Sequence, residues 1–154
     1  MYATIVVGTD GSPTASEAVG RAAELAAQAD AKLVIVSAYR PVDRSRLEAE
    51  MASAPEDIAH GINPEEDVAA HLEAAGDLAR KRGVASIRTL SIDAAPGEAL
   101  LEVAEQAGAD LIVVGSQGMA GAKRFVLGSV PNRISHHAPC DVLIVKTDHA
   151  RSQG

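Results

Sequence analysis

Five short aliphatic runs, each bounded by turn-forming residues and separated from the next by a stretch of helical length, restrict this chain more tightly than any other feature. They are Thr4 to Gly8, Lys32 to Ala38, Ser86 to Ile92, Asp110 to Gly115 and Asp141 to Lys146. Runs this short and this rich in β-branched residues read as strands. LIVVG and VLIVK are almost continuously hydrophobic, as expected of strands covered on both faces in a parallel sheet.

The intervening segments carry helical period. In Pro13 to Asp30, Glu17, Arg21, Glu24 and Gln28 mark a solvent stripe opposite an alanine-rich face. Pro64 to Arg82 opens on a proline followed by acids and closes on Arg80, Lys81, Arg82 and Gly83, the charge polarity and stop signal of a helix. Pro96 to Ala107 places Glu98, Glu102 and Glu105 outward and Leu100, Val103, Ala104 and Ala107 inward, and a fourth helix spans Ser129 to His137. Strict β-α alternation implies right-handed crossovers and a three-layer α/β fold around a mostly parallel five-stranded sheet. At 154 residues the chain suits one domain, here 1–148. Residues 40–63 hold Pro41, Pro55 and Gly61 with weak periodicity. They read as a surface insertion with a helical turn around Leu47 to Ala52. Residues 149–154 read as a disordered tail.

Composition removes several classes of function. Thirty alanines, one Phe, two Tyr and no Trp suit close helix packing on an aliphatic sheet and supply little for stacking on nucleic-acid bases. A net charge of -7 opposes general attraction to nucleic acid or an anionic membrane. The single cysteine, Cys140, cannot form an internal disulfide, and the start MYATIVVGTDGS lacks the basic and apolar regions of a signal peptide. A cytoplasmic location is therefore expected.

In an open α/β sheet, ligands bind outside the carboxyl ends of the strands, where neighbouring crossovers leave in opposite directions. Strand one ends in GTDGS and strand four in GSQG. Asp10 stands where a carboxylate can accept hydrogen bonds from ribose hydroxyls or receive a base amine, or else close an Asx turn or cap a helix. Ser12, directly before Pro13, is the better cap. The stretch GSQGMAGAKRFVLGSVP contains Gly115, Gly118, Gly121 and Gly128. Gly115 and Gly118 allow close approach of a ligand to the main chain, and glycine at positive φ can turn N–H groups into an anion nest. Gly128 and Ser129 open a helix whose free N–H groups favour phosphate. Lys123 and Arg124 are second-rank phosphate contacts, or a solvated cation pair. Pro131 subtracts one N–H from the helix start. No P-loop and no dinucleotide fingerprint is present. His136 and His137 diverge by about 100° on a helix. His60 and His71 lack partners at metal spacing, and Cys140 reads as a packing residue. The chain therefore offers a phosphate cradle with no catalytic residue and no metal cluster.

These residues carry a resemblance. The chain resembles the universal stress protein family over nearly its whole length, from IVVGTDGS to HHAPCDVLIVK. The signature is G-x2-G-x9-G-S/T, matched by Gly115, Gly118, Gly128 and Ser129, which is that of the nucleotide-binding branch. The resemblance implies a Rossmann-like, adenine nucleotide alpha hydrolase-like fold with strand order 3-2-1-4-5, a homodimer, and a bound adenine nucleotide. By position, Thr9, Asp10 and Gly11 would line the nucleoside side, and the Ala38 backbone would face adenine. Val114, Gly115 and Ser116 would border the ribose, and Gly118, Gly128, Ser129 and Val130 would hold phosphates. Dimerisation would pair the last strands, Asp141 to Lys146. Many ATP-binding relatives carry a hydroxyl residue where this chain has Pro131, and some actinobacterial members ending in Gly-Ser-Val-Pro are associated with cyclic AMP. ATP, with Mg2+, and cyclic AMP are both candidate ligands. The expected function is a stress-response regulator that acts on an unidentified protein partner. The alternatives are a slow ATPase and an interaction protein with a vestigial site.

Overall fold

The expected alternation is present in full among the described residues of the computed structural model, which are 2–39, 65–116 and 129–147. The order is β1 (Thr4–Gly8), α1 (Pro13–Ala29), β2 (Lys32–Tyr39), α2 (Glu65–Lys81), β3 (Ser86–Asp93), α3 (Pro96–Ala107), β4 (Leu111–Gly115), α4 (Ser129–His137) and β5 (Asp141–Val145). The strands form one parallel sheet in the order β3-β2-β1-β4-β5. The insertion at 40–63, with its helical turn, and the tail at 149–154 lie outside the described residues.

Successive strand residues point to opposite faces, so each central strand feeds two cores. Ile5, Val7, Leu33, Ile35, Leu111 and Val113 pack under α1 and α2. Val6, Val34, Val36, Ile112 and Val114 pack under α3 and α4. Ala18, Ala22, Ala23 and Ala26 form the buried face of α1, and side chains this small let the helix axis approach the sheet closely. Ile35 and Ile112 are fully buried, so truncating either to Ala would cost about 2–5 kcal/mol.

The two edges differ. On β3 the exposed positions Arg88, Thr89, Ser91 and Asp93 are polar or charged, a composition that discourages further strand pairing. On β5, Val142, Leu143 and Ile144 are only partly covered, leaving an aliphatic edge.

Local signals set the ends of the elements. Ser12 caps α1, its Oγ accepting from the Ala15 N–H at 3.2 Å, with Pro13 in the first turn. Asp30 ends α1 in the left-handed region at φ 55°, and its N–H donates to the carbonyls of Ala26 and Ala27. Gly108 ends α3 in the same way at φ 64°. At the amino end of the sheet Asp110 Oδ2 accepts from the Ala3 N–H at 2.5 Å and the Thr4 N–H at 3.1 Å. These bonds hold its carboxyl below the usual range. The Tyr2 hydroxyl donates to Asp141 Oδ2 at 2.9 Å, and that bond raises the phenol pKa.

One expectation needs correction. Arg21, Glu24 and Gln28 are exposed, but Glu17 is only half-exposed and its Oε2 is buried. Glu17 lies in the first turns of α1, where helical period alone does not report what covers a side chain.

Candidate functional site

The direction of the crossovers marks a candidate site. From β1 the chain passes to α1, which covers one face of the sheet, and from β4 it passes to α4, which covers the other. β1 and β4 are adjacent, with Val7 paired to Val113. The carboxyl ends of β1 and β4 therefore flank a crevice from which the two connections diverge, the position where open α/β sheets bind ligands.

On the β1 side, Thr9 to Ser12 form a tightly bonded turn. The Thr9 N–H donates to the Val36 carbonyl at 2.9 Å, continuing the sheet for one residue past β1. Thr9 Oγ1 accepts from the Gly11 N–H at 3.1 Å, and Asp10 Oδ1 accepts from the Ser12 N–H at 2.9 Å. Side chains that accept from the backbone two residues on are the mark of ST and Asx turns. The cap and turn readings of this segment therefore fall to different residues. Ser12 caps the helix, Asp10 closes an Asx turn through Oδ1, and Oδ2 makes no hydrogen bond to a described residue. Gly11 sits at φ 83°, where a side chain is disfavoured.

On the β4 side, Val114 is buried among the residues under α3 and α4, so only its backbone can border a ligand. Gly115 is the last residue of β4 and is paired with Val145. It keeps strand geometry and does not make a left-handed turn. The Ser116 N–H donates to the Val145 carbonyl at 2.7 Å, and Ser116 Oγ accepts from the Thr147 N–H at 3.1 Å. That hydroxyl ties β4 to the end of β5. Ala38, the penultimate residue of β2, is partly exposed on the α3 side. Gly118, Lys123, Arg124 and Gly128 lie outside the described residues.

Helix α4 begins at Ser129, with Val130 half-buried and Pro131 buried. Arg133 links it to α3, its Nε lying 2.6 Å from Glu98 Oε1. The Arg133 stem runs over Gly97, where an added Cβ would come within 3.0 Å of Cδ.

The neighbour of Gly11 was not legible in the sequence: it is His71. Its ring lies against Gly11, 60 residues away in sequence. The ring Nδ1 is buried with no hydrogen-bond partner, as is Ser37 Oγ on β2. No linear spacing links residues 11 and 71. The contact exists because α1 and α2 share one face of the sheet.

Other chemistry is limited. Among the described residues, no group of three His, Cys, Asp or Glu side chains could hold a metal ion. Cys140 is half-buried, and burial, followed by the nearby Asp141 and Asp110 carboxylates, pushes its thiol pKa up. It is therefore a poor nucleophile. His136 and His137 are exposed in the last turn of α4. No helix among the described residues is long and apolar enough to cross a membrane.

Comparison with known proteins gives this architecture a lineage. The family model for the universal stress protein family matches residues 1–146. Universal stress protein Rv1636 of Mycobacterium tuberculosis is 40% identical over 146 residues, covering 95% of this chain and 97% of that protein. A universal stress protein solved in complex with cAMP is 38% identical, with a TM-score of 0.72 and coverage of 95% and 98%. The universal stress protein from Archaeoglobus fulgidus, solved in complex with dAMP, is 22% identical with a TM-score of 0.67 over 94% and 98% of the two chains, a likeness of fold. With the β3-β2-β1-β4-β5 sheet, the crevice between β1 and β4 and a family match over nearly the whole length, this chain belongs to the universal stress protein family.

Proposed function

We propose that this protein binds an adenine nucleotide, ATP or cyclic AMP, and acts as a stress-response regulator without strong catalysis. The observation that carries the reading is the pattern Gly115, Gly118, Gly128, Ser129, whose first member ends β4 and whose last begins α4. In this reading Asp10 Oδ2 accepts from a ribose hydroxyl, the Ala38 backbone pairs with adenine, and the main chain at Gly115 and Gly118 lies along the ribose and inner phosphate. The N–H groups at Ser129 and Val130 receive the anion, assisted by the helix dipole.

Pro131 favours a small phosphate count. An α-helix leaves its first four N–H groups without partners, and proline removes one of them from the anion site. The 38% identical relative solved with cAMP supports cyclic AMP as a ligand. If ATP binds, Mg2+ would be held mainly by the phosphates and water, since the described residues offer no carboxylate cluster. The aliphatic edge of β5 would pair with a second copy to give a homodimer in the cytoplasm, and ligand occupancy would alter how that dimer meets a protein partner.

Isothermal titration with ATP, AMP and cyclic AMP tests the reading. Binding by the wild type that is lost in Gly118→Val supports it. Absence of binding to all three at millimolar concentration refutes it. Nucleotide turnover lost in both Asp10→Ala and Gly118→Ala would instead favour a slow hydrolase.

A further inference from the structure

Gly11 and His71 share one volume. A Cβ built on Gly11 would lie 2.4 Å from both Cδ2 and Nε2 of the His71 ring and 2.7 Å from Cγ. The ring therefore fills the space that any other residue at position 11 would need, and it does so where the backbone is already left-handed at φ 83°. Since Nδ1 is buried with no hydrogen-bond partner, no bond at that atom fixes the ring. Shape seats it. The two bonds that close the turn, Gly11 N–H to Thr9 Oγ1 and Ser12 N–H to Asp10 Oδ1, lie on either side of this contact.

We propose that His71 is a positioning residue for the nucleotide site. Its ring, seated on Gly11, holds the Thr9 to Ser12 turn in the form that presents Asp10 Oδ2 to the ligand. The proposal rests on the adenine-nucleotide reading and extends it, because it makes α2 part of the site although the helix supplies no ligand contact. Any tilt of α2 would move the ring, the turn and the Asp10 carboxylate together. Packed elements shift between discrete arrangements and do not deform continuously, so such a contact can pass binding energy in both directions.

The test uses the full chain as wild type, His71→Ala, His71→Leu and His71→Phe, with two readouts at one pH. The first is the affinity for cyclic AMP and ATP by calorimetry. The second, taken without nucleotide, is hydrogen exchange at the Gly11 and Ser12 amides, the two donors of the turn. Removing the ring is expected to weaken nucleotide binding roughly 3- to 30-fold and to speed exchange at both amides. His71→Phe, which restores a planar ring, should return both towards wild type. His71→Leu fills the space with another shape and should behave like His71→Ala, so it carries the test if the Ala variant does not fold. Unchanged affinity and exchange in His71→Leu, or failure of His71→Phe to restore them, overturns the proposal. If the wild type binds no nucleotide, the functional reading fails by itself. Exchange then still decides whether His71 holds the turn.

Discussion

The substitution Gly11→Ala should be far more costly than a surface methyl group, and the structure separates the cost into two parts. At φ 83° an L-residue pays about 1–2 kcal/mol for the left-handed backbone. The new Cβ would also stand 2.4 Å from the His71 ring, where ordinary contact begins at 3.4 Å. The ring must therefore give way by about 1 Å, an overpacking cost of about 1–3 kcal/mol. Together these amount to roughly 2–5 kcal/mol, a large share of the ~5–15 kcal/mol that a domain has in total. Removing the ring should abolish the second part and leave the first. In a cycle of wild type, Gly11→Ala, His71→Ala and the double variant, the double variant should be about 1–3 kcal/mol more stable than the sum of the single effects requires. The chain has no Trp, so urea unfolding would be followed by far-ultraviolet circular dichroism. Additivity within about 0.5 kcal/mol would refute the claim that the ring and the glycine share one space.

Four further outcomes are expected. Ser12→Ala removes the α1 cap and should cost about 0.5–2 kcal/mol in chemical denaturation; a neutral result would mean that the Ser12 to Ala15 bond contributes nothing. Asp30→Gly relieves a non-glycine residue at φ 55° and should stabilise by about 0.5–1 kcal/mol, visible as a higher melting temperature; destabilisation would show that the Asp30 side chain contributes more than its backbone costs. For Asp110, two backbone donors hold the folded pKa below the ordinary value, so its stabilisation is complete above the unfolded pKa and is lost as pH falls through the folded one. The stability difference between wild type and Asp110→Asn should thus be constant above about pH 5 and shrink in acid; denaturant titrations in which it does not shrink would assign the acid sensitivity elsewhere. Cys140, raised by burial, should react with iodoacetamide more slowly than glutathione at pH 7, and an equal rate would contradict the raised thiol pKa.

Much of the architecture was readable because its signals are local. The span Pro13–Ala29 follows from Ser12 and Pro13 at one end and the loss of period at the other, and β1 coincides with its aliphatic run. β2 and β3 each run one residue further than expected, to Tyr39 and Asp93, because these two pair with each other and extend one another. Asp10 shows where a local reading stops. The sequence allowed it to be either a turn former or a ligand group, and only the geometry shows that one oxygen closes the turn while the other makes no bond to a described residue. Glu17 was assigned to the solvent stripe by helical period alone, yet period says nothing about what a neighbouring element covers.

By itself the sequence determined the elements, their order and the helix cap, because each of these depends on residues within a few positions of one another. Tertiary structure alone decided that Glu17 Oε2 is buried and that His71 rests on Gly11. Those facts depend on how side chains distant in the chain divide a common volume in a close-packed interior. No pattern along the chain records that division, because it is settled only when the layers pack.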